Sequence, residues 1–175
     1  MVGLVSNPLR STNLIDVGWR EWLALPELGI PAIKAKIDTG ARTSALHAFE
    51  LVTFESEDSR RVRFQLHPIR HRPDIVVAAE AEVVDERVVT SSSGTQEQRV
   101  VIRTPLSVGE SSWPIELTLT NRETMRFRML LGRTAMHGRV VVDPSASFLC
   151  GRRGERAIAR LYDVRPSSTR LGRSR

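Results

Sequence analysis

The residues best suited to chemistry lie in one short run, Ala35-Lys36-Ile37-Asp38-Thr39-Gly40-Ala41. A strand-like alternation leads straight into Asp-Thr-Gly-Ala. A tight turn of this composition holds a carboxylate at a fixed point. Gly40 has no Cβ, so the backbone can turn sharply there and approach a ligand closely. Thr39 can hydrogen-bond across a symmetric partner loop and lock both loops. Taken alone, Asp and Gly are also what an ordinary β-turn contains. The reading therefore depends on what else the chain carries.

A second segment supplies that context. Met129-Leu130-Leu131 is an apolar strand ending in Gly132-Arg133, ahead of a short helix expected over Arg133 to His137. Between the two motifs, Val88 to Arg103 reads as two strands around Ser91-Ser92-Ser93-Gly94. In order and rough spacing, this combination resembles the retropepsin family of aspartic peptidases. The likeness extends through Val17-Gly18-Trp19-Arg20-Glu21-Trp22 and Lys34 to Ala48. There the chain is similar to the bacterial retropepsin-like family often labelled "ATP-dependent zinc protease" and found beside ATP-grasp ligases. The resemblance covers roughly residues 16 to 150.

The resemblance implies an all-β fold: a pepsin-half closed β-barrel with a flap hairpin and one short helix. It implies that Asp38, Thr39 and Gly40 are catalytic. Ala41 and Arg42, with Ser93 and Gly94 of the flap, would contact substrate. Leu131, Gly132 and Arg133 would form the supporting structural motif. Aspartic peptidases need two carboxylates sharing one proton, because like charges about 3 Å apart cannot both ionise. The chain has one Asp-Thr-Gly, and Asp143-Pro144-Ser145 lacks the glycine. The expectation is a symmetric homodimer cutting a peptide or protein substrate, with no cofactor. One position departs from the family. Retropepsins often place an acidic residue directly after Asp-Thr-Gly-Ala, paired with the arginine of the second motif; here that residue is Arg42. Arg42 and Arg133 would repel if placed alike, so another acid must serve or the local geometry differs; Arg42 itself is either a surface arginine or a ligand for a substrate carboxylate. The alternatives are a peptide-binding module that captures a strand without cutting it, and a zinc hydrolase as the family label suggests.

The metal reading finds little support. The four histidines are His47, His67, His71 and His137, with no His-Glu-x-x-His. Surface or capping roles are the favoured reading, with a hydrogen-bonding role near the cleft for His47. No Walker-type Gly-rich Lys loop is present. Cys150 is the only cysteine, so neither an intrachain disulfide nor a Cys-based zinc site can form. It reads as a small buried hydrophobe.

The elements that must position these residues are short strands. Ala32–Ile37, Leu51–Phe54, Val62–Leu66, Ile75–Val77, Val83–Val89, Gln98–Arg103, Ile115–Thr120 and Val140–Val142 all show strand patterns. Turn chemistry such as Glu57-Asp58-Ser59 and Val108-Gly109-Glu110 separates them. Trp19, Trp22 and Trp113 are expected in the core. The 175 residues divide into an extension over 1–15, one domain over 16–151, and a tail over 152–175. The net charge of +6 belongs to that tail, which holds eight Arg against Glu155 and Asp163. The remainder is neutral, which argues against a nucleic-acid-binding body. The tail is expected to be disordered and solvated, with contacts to RNA as the less favoured reading. A second weak helix signal covers Glu155 to Tyr162. No run approaches the roughly 20 apolar residues of a membrane span. Nothing in Met1 to Asn13 resembles a signal peptide, so a cytoplasmic location is expected.

Overall fold

Closely spaced turn residues leave almost every apolar run of this chain the length of a strand. The computed structural model describes residues 14–90, 94–121 and 126–163. Strands β1 (Ile15–Gly18), β2 (Arg20–Leu25), β3 (Ile30–Ile37), β4 (Ser44–His47), β5 (Phe49–Ser56) and β6 (Ser59–Leu66) fill the first part. Then come β7 (Val77–Thr90), β8 (Gln96–Val108), β9 (Ser111–Thr120), β10 (Met129–Leu131), helix α1 (Arg133–Met136), β11 (Val140–Asp143) and helix α2 (Glu155–Asp163).

One mixed sheet dominates. Strands β2, β3, β10, β4, β9 and β8 are hydrogen-bonded in that order, and Ala24 of β2 pairs back to Ser107 of β8. The sheet thus closes on itself through six strands. From β8 it runs outward through β7, β6 and β5 as antiparallel hairpins. A separate parallel pair joins β1 to β11. The core lies inside the ring. Along β3, Ile33, Ala35 and Ile37 face inward, while Lys34 and Lys36 face out. Leu23, Leu46, Ile102, Leu106 and Leu117 meet them there. Full burial of each such aliphatic side chain contributes roughly 1.5–3 kcal/mol over leaving it in water.

The buried Glu21 ties the two ends of the domain together. Its carboxylate accepts hydrogen bonds from the backbone N–H groups of Gly18 (2.7 Å), Leu149 (2.8 Å) and Cys150 (3.3 Å). A Cβ on Gly18 would stand 2.4 Å from the carbonyl oxygen of Ala146, so this approach requires glycine.

The fold is mostly β rather than all-β. Helix α1 stands where the sequence placed it. The second helix, α2, forms where the weak helix signal over Glu155 to Tyr162 lay, so the part of the tail over residues 155–163 is ordered instead of disordered. Its Ile158 and Ala159 are buried against Ala32, Ile69 and Ile75. The Tyr162 hydroxyl donates to the carbonyl of Ala32 and accepts from its N–H. The arginine content of the segment hid an apolar face of three residues. The folded unit therefore extends beyond Gly151, and it begins with β1 at Ile15. Strands β1, β2 and β4 were not anticipated. Each is short, and β4 is buried throughout, so alternation gave no signal. No helix among the described residues is long and apolar enough to cross a membrane.

Candidate active site

Asp38 leaves the end of β3 where three strands meet. β10 lies between β3 and β4, parallel to the first and antiparallel to the second. The pairing of Leu131 with Ile37 extends one step further, with Asp38 N–H donating to the Leu131 carbonyl at 2.9 Å. The chain then turns through Thr39, Gly40 and Ala41 on its way to β4. In that turn Asp38 Oδ1 accepts the N–H groups of Gly40 (3.1 Å) and Ala41 (3.3 Å). The carboxylate is thereby fixed by its own loop.

The exit of β10 supports the loop from beneath. Arg133 N–H donates to the Ala41 carbonyl (2.9 Å), and Thr134 donates to Arg42 from both its N–H (3.1 Å) and its hydroxyl (3.0 Å). Gly132 N–H donates to the hydroxyl oxygen of Ser44 at 3.1 Å. A Cβ on Gly132 would stand 2.5 Å from the Thr43 carbonyl carbon, so only glycine lets the two backbones pass this closely. The Arg133 guanidinium donates to the carbonyls of Thr39 (2.9 Å) and Gly40 (3.0 Å). The partner of Arg133 is thus a pair of loop carbonyls. No acid is needed beside Arg42, and the two arginines are placed differently.

Asp38 has a second neighbour that the sequence reading passed over. Lys36 Nζ lies 3.0 Å from Asp38 Oδ2. Burial raises the carboxyl's titration point, but the Lys36 ammonium and the Gly40 and Ala41 N–H groups outweigh it. The Asp38 carboxyl therefore sits below its ordinary value. The signal for Lys36 was available, because residues two apart on a strand share a face.

Asp38, Gly40, Ala41 and Arg42 open onto a cleft of about 1140 Å³. Its far wall is the hairpin of β7 and β8, which contributes Arg87 to Thr90 and Arg99. This hairpin pairs from Val83 with Ile102 out to Thr90 with Gln96, where a flap was expected. Gly94, at φ +83°, is exposed near its turn and is not among the residues lining the cleft. Ser93 lies outside the described residues. Thr39 is exposed beside Asp38. Arg87 is paired with Asp85 and Glu116, and the buried Arg99 with Glu97. Arg42 makes no ion pair with a described residue. Arg126 and Phe127 close one end of the cleft. Sequence reasoning missed these wall residues because hairpin position, and not local pattern, brings them to the site.

The histidines do not converge. His47 is buried beside Phe49, His67 stacks on Phe49 with ring centres 4.8 Å apart, and His71 and His137 are exposed elsewhere. Among the described residues no three His, Cys, Asp or Glu side chains are grouped to hold a metal ion. The described residues do not fit the zinc implied by the family label. Cys150 is half-buried away from the cleft, and its Sγ lies 3.5 Å from the Asp16 carbonyl. Burial, with Glu21 and Asp16 nearby, pushes its thiol up to about 11. Trp113 is a core residue that donates to the Ala135 carbonyl at 2.9 Å. Trp22 is partly buried and packs against the smaller core cluster around Ile69 and Ile158, and Trp19 is partly buried with its ring edge-on to Phe127.

A family model described as RimB-like, "Retropepsin-like aspartic endopeptidase RimB", matches residues 16–153. The chain belongs to this RimB-like family. A Legionella pneumophila protein of unknown function (DUF785) has a similar fold, with a TM-score of 0.65 and 26% identity over 78% of this chain and 98% of that one. Two proteins called "Probable alpha-L-glutamate ligase" are also similar. The one from Shewanella pealeana is 46% identical over 155 residues, covering 89% of this chain and 34% of the relative. The one from Parasynechococcus marenigrum is 49% identical over 151 residues, covering 86% and 32%. The chain thus spans about a third of the length of the curated relatives it matches. In those proteins the segment similar to this chain is joined to further sequence.

Proposed function

We propose that this chain is an aspartic endopeptidase that works as a symmetric homodimer, with Asp38 of each subunit forming the catalytic pair. The observation that carries the reading is the presentation of Asp38. Its carboxylate is fixed by the Gly40 and Ala41 N–H groups at the rim of an open cleft. Membership of a family labelled as retropepsin-like endopeptidases supports it. The six-strand ring and the β7–β8 hairpin support reading the fold as a retropepsin-like closed barrel with a flap. Exposed Thr39 is free to meet its counterpart across the dimer axis.

In this mechanism the ionised member of the pair takes a proton from water as the water oxygen attacks the scissile carbonyl. The protonated member hydrogen-bonds the developing oxyanion. The C–N bond then breaks, and a carboxyl proton passes to the leaving amine. The protons belong to the pair rather than to either residue. An extended peptide fits between the Asp38 loop and the hairpin wall. In this reading Arg42, which lines the cleft, receives an acidic side chain of that peptide. The glutamate-ligase names of the relatives support glutamate-containing peptides as the substrate class.

The test is cleavage of an unbiased peptide pool, enriched in acidic sequences, from about pH 4 to 8. Native protein and Asp38→Asn are compared with and without EDTA, and light scattering gives the mass of the active species. Cleavage that disappears in Asp38→Asn and ignores EDTA supports the proposal. Cleavage by Asp38→Asn, or by a strict monomer, overturns it.

A further inference from the structure

The whole net charge of +6 lies in residues 152–175, and the chain before them is balanced between acid and base. None of these arginines lines the Asp38 cleft. The structure adds that the first half of this basic segment is ordered on the surface of the body. Helix α2 sets Ile158, Ala159 and Tyr162 against the cluster of Ala32, Ile69 and Ile75. Its outer side carries Arg156 and Arg160, which stand one turn apart on one face. Both are exposed, as are Arg152 and Arg153 just ahead of the helix. None of the four forms an ion pair with another described residue.

Like charges one turn apart weaken an isolated helix. Here the apolar anchor holds the helix in place and leaves the charged face turned outward. A backbone ordered in advance loses less entropy when a ligand arrives. Beyond the helix, residues 164–175 add Arg165, Arg170, Arg173 and Arg175, spaced by Ser, Thr, Pro, Leu and Gly, with no acidic side chain. The partner that complements such a row is a polyanion. A lipid surface fits poorly, because the apolar face of α2 is already spent on the body and only Ala157 and Leu161 are exposed apolar residues on it. Duplex DNA fits poorly as well. Residues 152–175 contain no Asn or Gln to read base edges, and a helix docked along one side cannot sink into a major groove. A single strand meets neither obstacle. Its phosphates take bidentate guanidinium contacts, and its unpaired bases stack on guanidinium planes.

We infer that the exposed face of α2, with the arginines that precede and follow it in the chain, docks single-stranded RNA. The inference does not depend on peptide cleavage.

The probe is a fluorescein-labelled oligouridylate of about 16 nucleotides, titrated with the full chain and read by anisotropy. Saturable binding is expected, with log affinity falling against log salt at a slope of about −3 to −6, as four to eight phosphate contacts require. Arg156→Gln/Arg160→Gln should weaken binding at least fivefold at low salt and reduce that slope by about 1.4. Arg156→Lys/Arg160→Lys should keep most of the affinity. Arg152→Gln/Arg153→Gln, outside the helix, should weaken binding in the same direction and guards against loss of the helix in the first variant. Arg42→Gln, in the Asp38 cleft, should bind within about twofold of native. Unsaturable binding at low salt, native affinity in both Gln double variants, or an Arg42→Gln loss as large as theirs would each overturn the inference. So would tighter binding, dependent on Arg156 and Arg160, of duplex DNA, poly-L-glutamate or phosphatidylserine vesicles.

Discussion

The Lys36 ammonium and the Asp38 carboxylate lie 3.0 Å apart on the outward face of β3 and its exit. Lys36 favours the ionised carboxylate, while burial disfavours it. In a dimer, a lysine beside each aspartate would oppose retention of the proton that the pair must share.

Replacing Lys36 with Met should therefore leave burial unopposed by its main counterweight, and the Asp38 carboxyl should titrate at higher pH than in the native protein. Both limbs of the pH–rate profile should move upward, because ionisation of the base and loss of the shared proton are shifted together. The stability sign follows from the same direction. A folded-state value below the unfolded one stabilises above the unfolded value and loses that contribution as pH falls through the folded value. Any destabilisation of Lys36→Met should thus be seen at neutral pH and vanish in acid. An NMR titration of Asp38 with a pH–rate profile checks this; superimposable profiles would refute it.

Arg133 acts on the site through the loop. Removing its two hydrogen bonds to Thr39 and Gly40 leaves the fold standing, because the guanidinium is exposed. Arg133→Met should lower kcat by about 10- to 100-fold through misplacement of the carboxylate, with a melting temperature within about 3 °C of native. Arg133→Lys should recover only part of the rate, since a point charge cannot span both carbonyls equally.

Gly132→Ala tests the backbone crossing. Its Cβ would meet the Thr43 backbone at 2.5 Å, and no flexible side-chain end is there to move aside. A loss of about 1–3 kcal/mol in urea unfolding is expected, together with reduced cleavage. Native stability would show that the 42–43 loop is more compliant than the crossing implies.

Cys150 should be chemically quiet. With its thiol pushed up to about 11, the thiolate is scarce at neutral pH. Iodoacetamide should modify it slowly at pH 8 and faster as pH approaches that value. Cys150→Ser should keep peptide cleavage intact. Rapid labelling at neutral pH would contradict the environment described for it.

Much of the site was legible because its signals are local. The alternation of β3, the Asp38–Gly40 turn and the apolar run into Gly132-Arg133 are each written in a few consecutive residues. The hairpin of β7 and β8 was legible for the same reason. Lys36 was legible in principle from period-two spacing, yet only its distance from Asp38 shows that the two interact. Helix α2 was only weakly legible, because three apolar residues are a faint signal within an arginine-rich segment.

The sequence by itself determined most of the strands, where the carboxylate turn falls and which family the motifs resemble. Only the tertiary structure decided what those residues meet. Arg133 reaches Thr39 across 94 positions because β10 inserts between β3 and β4. The same closure sets Arg87 and Arg99 in the wall of the cleft onto which Asp38 opens. The reason is physical: alternation says which face of a strand is buried, but pairing partners depend on how the whole sheet closes.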